Sequence, residues 1–136
     1  TPMGYAAPMR RILAFLSLLL LPACGDLNAR IESEALRAVQ ADVDLRVEAM
    51  GLDAGEYRVT TDGLPGPGSH GGNGVALALT PRDGDADILP LGLEYDYRFR
   101  LLDGDTRIVI DIVHRPTDAE LRAAVERALE AAEDRE

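Results

Sequence analysis

The chain predicts an α+β fold: an N-terminal helix, an antiparallel meander of about four strands and a C-terminal helix, packed as a two-layer sandwich. Three observations carry this. Apolar residues recur at steps of three and four over residues 31–50 and again over 118–132, the spacing that lines one face of a helix. Between them, short segments alternate apolar and polar residues, the period of a half-buried strand. An Asp-Gly pair joins two of those segments where a hairpin turn would fall.

The first helix is read over Ile31–Met50. Leu36, Val39, Val43, Val47 and Met50 share one face. Gly51 followed by Leu52 suits a left-handed cap with an apolar contact back onto the last turn. A strand over "VDLRVEA" is the rival, because Val43, Leu45, Val47 and Ala49 also alternate; the cap favours the helix.

Strands are read at "EYRVTT" (56–61) and at "VALALT" (75–80), where Val75, Leu77 and Leu79 share a face. The clearest element is the hairpin "EYDYRFRLLDGDTRIVIDIVH". Tyr95, Tyr97, Phe99 and Leu101 alternate with Asp96, Arg98 and Arg100, and Ile108, Ile110 and Ile112 alternate across the turn with Arg107, Val109 and Asp111. The aromatic set therefore faces the isoleucine set. A turn centred on Gly104-Asp105 sets Arg98 opposite Asp111.

The last helix runs from Asp118 to about Ala132. Thr117 and Glu120 have the spacing of a capping box, and Leu121, Ala124, Val125, Ala128, Leu129 and Ala132 form its apolar stripe. Arg122 and Glu126 sit four apart on an outer face. One apolar face per strand and one stripe per helix are buried together most simply by an antiparallel sheet covered on one side.

The 136 residues suffice for one domain. Composition changes sharply at position 24. Residues 1–23 carry Arg10 and Arg11 and no acid, whereas residues 24–136 carry all 24 carboxylates against twelve arginines, a charge of about −12. Lysine is absent throughout. So acidic a surface disfavours nucleic acid, since phosphate binding needs a basic one.

In "MRRILAFLSLLLLPAC", Arg10 and Arg11 precede a ten-residue apolar run, Ile12–Leu21, broken only by Ser17. Pro22 and Ala23 then lead to Cys24, the single cysteine. A ten-residue helix reaches about 15 Å, half of a ~30 Å hydrocarbon core. The stretch reads as a cleaved signal peptide instead. Thr1 does not initiate translation, so Met3 or Met9 is read as the start, Met9 giving the tighter leader.

Leu21-Pro22-Ala23-Cys24 resembles the lipobox of bacterial lipoproteins, with an aliphatic residue at −3, a small one at −1 and the cysteine that becomes the new N-terminus. The resemblance implies lipid attachment at Cys24, removal of residues 1–23, a lipidated tether over 24–30 and an acidic α+β domain over 31–136. It further implies export and membrane anchoring toward the periplasm. Gly25 stands where inner-membrane retention signals usually place Asp, which favours the outer membrane. Several acyl chains make such an anchor durable.

No motif of the folded part completes a catalytic or cofactor pattern. Gly66, Gly68 and Gly71 in "GLPGPGSHGGNG" fit G-x-G-x-x-G, but a strand follows where a dinucleotide site needs a helix start. Ser69 and His70 are neighbours on this expected flexible loop, where their side chains do not easily meet. Asp83, Asp85, Asp87 and Glu94 match positions 1, 3, 5 and 12 of a calcium loop, yet position 6 is Ile88 instead of Gly and position 8 is Pro90. They are kept as a weak calcium candidate. His114 is expected on the face of Ile108, Ile110 and Ile112 as a partly buried, hydrogen-bonded side chain, and no zinc cluster is expected.

The sequence therefore predicts a non-enzymatic, cofactor-free envelope lipoprotein whose domain binds a protein partner or serves structure. A small envelope hydrolase using Ser69 and His70, or carboxylates scattered in sequence, and a calcium-stabilised binding module are its alternatives.

Overall fold

A computed structural model of the chain describes residues 23–84 and 86–135. The expected leader through Pro22 lies outside the described residues, as do Asp85 of the acidic loop and the side chain of Cys24. The chain divides into two units, residues 1–30 and 31–136; the sheet belongs to the second.

The elements follow the predicted order. Helix α1 spans Ala23–Met50, strand β1 Tyr57–Pro67, β2 Asn73–Pro81, β3 Leu89–Leu102, β4 Arg107–His114, and helix α2 Asp118–Asp134. All neighbouring strands are antiparallel in the order β1-β2-β3-β4. The fold is α+β. The first helix begins eight residues before the expected Ile31, and β1 and β3 are longer than their sequence signals.

Helical structure wins over the rival strand at 42–50. Val39 and Val43 are buried while Leu45, which a strand would have put beside them, is 67% exposed. The helix ends as its last residues dictate. Gly51 takes φ +61°, its N–H donates to Glu48 O at 3.1 Å and the N–H of Leu52 donates to Val47 O at 3.1 Å. This pair of bonds is a Schellman cap, and Leu52 is buried beneath it.

Both helices cover one sheet face. Ala35, Val39 and Val43 of α1 and Leu121, Ala124 and Val125 of α2 join Val75, Leu77, Leu79, Tyr95 and Tyr97 in a single apolar cluster. The hairpin register pairs Tyr97 with Ile112, Phe99 with Ile110 and Leu101 with Ile108. Arg98 does lie opposite Asp111, but the ion pair forms diagonally, Arg100 Nε to Asp111 Oδ2 at 2.8 Å.

A polar knot fastens helices to sheet. The Tyr95 hydroxyl, inside the core, donates to Asp42 Oδ2 at 2.6 Å and accepts from Arg46 Nη1 at 3.0 Å. Arg46 also donates to Pro116 O at 2.5 Å and pairs with Asp118 Oδ1 at 2.7 Å. One α1 guanidinium thus holds β3 and the start of α2. Arg122 of α2 returns the tie, donating to Met50 O at the end of α1 at 3.1 Å.

Gln40 of α1 addresses the sheet edge. Its amide donates to Val59 O and accepts from the N–H of Thr61, both at 3.0 Å. A side chain here takes two β1 backbone groups that a further strand would use.

The capping box of α2 is present as expected: Glu120 N donates to Thr117 Oγ1 at 3.0 Å and Thr117 N to Glu120 Oε1 at 2.8 Å. Thr117→Ala is expected to cost about 1 kcal/mol of stability, measured by urea denaturation of the full chain.

Tyr95→Phe deletes the two hydrogen bonds of the hydroxyl, to Asp42 and from Arg46, and is expected to cost about 1–3 kcal/mol. Burial first, and the bond to Asp42 second, push the Tyr95 hydroxyl up to about 12. An unfolded tyrosine loses its proton near pH ~10, so the folded chain holds a proton that the unfolded chain has released. This contribution is complete below that pH and is lost as pH rises through about 12. Between these limits the urea midpoint of the parent chain is expected to fall more steeply than that of Tyr95→Phe.

Candidate functional site

Strand alternation puts Tyr95 and Tyr97 into the core and turns Glu94 and Asp96 to the opposite face of β3. Among the described residues no helix covers that face, yet Asp96 is 0% exposed. The glycine-rich connection between β1 and β2 folds over it.

This cover depends on missing side chains. At Gly68 a Cβ would lie 2.5 Å from Asp96 Oδ2 and 3.0 Å from the carbonyl carbon of Asn73. At Gly72 it would lie 2.6 Å from Tyr97 O. Gly74, directly opposite Asp96 in the β2–β3 register, would bring one within 3.2 Å of Glu94 Oε2. The loop closes on itself through Gly68 N to Gly72 O, 2.9 Å. The expected flexible connection is therefore a packed element seated on β2 and β3.

Seating the loop engages its polar residues. The backbone N–H of Ser69 donates to Glu94 Oε1 at 2.8 Å, and the Ser69 hydroxyl donates to the same oxygen. The hydroxyl first, and then the N–H, hold the Glu94 carboxyl below the usual carboxylate range. The backbone N–H of His70 donates to Asp96 Oδ2 at 2.7 Å, and His70 Nδ1 stands 3.6 Å from that oxygen. Asp96 Oδ1 is buried with no hydrogen-bond partner among the described residues.

His114 departs from its expected position. Tyr97 pairs with Ile112 but Asp96 pairs with His114, so Val113 is an extra residue on β4. Such a bulge reverses the facing of the residues beyond it. His114 leaves the isoleucine face and stacks on His70, with ring centroids 3.6 Å apart and planes 14° apart.

His70, Glu94 and Asp96 thus each offer a ligand atom within 4.8 Å of one another. Ser69 and His70 are each bound to a different carboxylate, so they form no nucleophile–base pair. The calcium pattern is not assembled by its described members. Glu94 faces Ser69, whereas Asp83 lines an open groove of about 590 Å³ between Tyr57 and Leu129, and Asp87 is exposed. Among the described residues, Asp83, Asp87 and Glu94 are not within ligand distance of one another.

In sequence, Asp96 falls on the polar face and Ser69-His70 in a loop, with nothing that joins them. The signal available is the Glu-x-Asp spacing at 94–96, which strand period places on one face. The pairing that lays residues 68–72 across that face is non-local. Comparison with protein-family models, with curated proteins and with solved structures gives no match.

The close fit of the loop has a direct test. Gly68→Ala is expected to destabilise the chain by about 1–3 kcal/mol through overpacking. Gly66→Ala, whose Cβ would meet nothing within 4 Å, is expected to be near neutral. Thermal unfolding of the two variants side by side measures the difference.

Proposed function

We propose that the chain is a lipid-anchored protein of the bacterial envelope whose acidic domain binds a partner and does not turn over a substrate. The anchor rests on the lipobox-like Leu21-Pro22-Ala23-Cys24, with lipid on Cys24 and the outer membrane as destination. Multiple acyl chains there give durable membrane attachment. Among the described residues no helix is long and apolar enough to cross a membrane.

The observation that sets binding against a Ser69–His70 hydrolase is the division of that pair. A serine–histidine pair needs the imidazole within hydrogen-bond reach of the serine hydroxyl. Here that hydroxyl donates to Glu94, while the imidazole faces Asp96. The acidic surface suits a protein partner in the envelope and disfavours nucleic acid.

Intact mass measurement of the protein extracted from bacterial membranes tests the anchor. A chain beginning at Cys24 with added acyl mass is expected, and Cys24→Ser is expected to remain unprocessed. An intact leader or a bare thiol at Cys24 overturns the reading. For the domain, a panel of ester and amide substrates is expected to show no turnover. An activity of the parent chain that Ser69→Ala abolishes would favour the hydrolase instead.

A further inference from the structure

We propose that His70, Glu94 and Asp96 form a binding site for one divalent transition-metal ion of the zinc class. The three ligand atoms come from the β1–β2 loop and from two same-face positions of β3, and they lie within 4.8 Å of one another. Two ligands at zinc distances in a tetrahedral shell stand about 3.4 Å apart. Side-chain movements of His70, whose side chain is 49% exposed, and of the half-buried Glu94 by about 1 Å bring the ligands to that spacing.

The second observation is Asp96 itself. Its carboxylate is wholly buried, and Oδ1 has no partner among the described residues. A buried oxygen without a donor loses its hydration and gains nothing in return, at a cost of a few kcal/mol at most sites. A cation held by this carboxylate offsets its buried charge and screens the repulsion between neighbouring carboxylates.

Arginine is the alternative source of positive charge. Among the described residues, no arginine pairs with Glu94 or Asp96, although five other carboxylates, those of Glu34, Asp42, Asp44, Asp111 and Asp118, have arginine partners. Gly74 opposite Asp96 and Gly68 above it let the loop backbone close on the carboxylates, where a Cβ would lie 3.2 Å from Glu94 Oε2 and 2.5 Å from Asp96 Oδ2 respectively.

The ligand types select the ion. Calcium takes hard oxygen ligands, whereas one imidazole with two carboxylates suits zinc and its first-row neighbours. Ser69, donating twice to Glu94 Oε1, fixes that side chain and leaves Oε2 for the ion. Stacking on His114 restrains the plane of the His70 ring. Both are orienting contacts of the kind that metal ligands commonly carry.

The site does not depend on the lipid anchor, and its test reads a different quantity. Full-length chain carrying Cys24→Ser, so that no thiol competes, is stripped with chelator in detergent and titrated calorimetrically with zinc chloride and with calcium chloride. One zinc per chain is expected, with a rise in melting temperature that calcium does not reproduce. His70→Ala and Glu94→Gln are each expected to weaken zinc by about tenfold or more. Both residues are accessible enough for the variants to fold, which the melting curve without metal verifies.

Absence of zinc heat and of any melting shift overturns the proposal, as does zinc affinity unchanged in His70→Ala. A higher melting temperature for Asp96→Asn without metal, together with no zinc response in the parent, also overturns the site.

Discussion

Two consecutive residues of one strand set the terms for the whole domain. Tyr95 and Asp96 are both fully buried, and strand alternation sends them to opposite faces of the sheet. On one side a tyrosine hydroxyl must find partners inside an apolar core, and Asp42 and Arg46 of α1 supply them. On the other a carboxylate must be covered where no described helix covers it, and the loop between β1 and β2 does so. Removing a polar group from water is tolerated only where hydrogen bonds or charge replace the water. The Tyr95 side meets that condition within the protein. The Asp96 side meets it by half, since one oxygen accepts from His70 and the other from no described residue.

The two faces are linked through the same strand. Arg46 ties α1 to Tyr95 and to the segment that starts α2, so helix packing fixes β3 in register with its neighbours. A fixed register is what puts Gly74 and His114 on either side of Asp96. The site is thus positioned by the core without sharing any of its atoms. Loops placed by a rigid sheet are where binding groups commonly sit, and this one is unusual only in being packed against the sheet it leaves.

Much of the architecture was legible in the residues. Alternation at 95–101 and 108–112, the Gly51-Leu52 cap and the Thr117–Glu120 box are local signals, and each gives the element it announces. Legibility failed where structure depended on non-local pairing. The run at 63–74 has no hydrophobic period because its glycines serve close backbone approach to Asp96 and Tyr97, which composition alone presents as a loop. Alternation puts His114 on the isoleucine face because it cannot show an extra residue, and Val113 is one. Spacing along the chain groups Glu94 with Asp83, Asp85 and Asp87, whereas the sheet groups it with Ser69 and His70. The start of α1 at Ala23 is illegible for another reason: residues 23–30 lack the apolar stripe that marks the rest of the helix.

The amide of Gln40 has a consequence for how copies of this molecule could meet. By filling hydrogen-bonding positions on β1 at Val59 and Thr61, it takes from this edge two backbone groups that a strand from another copy would need, so a visiting strand meets a side chain there instead of an open ladder.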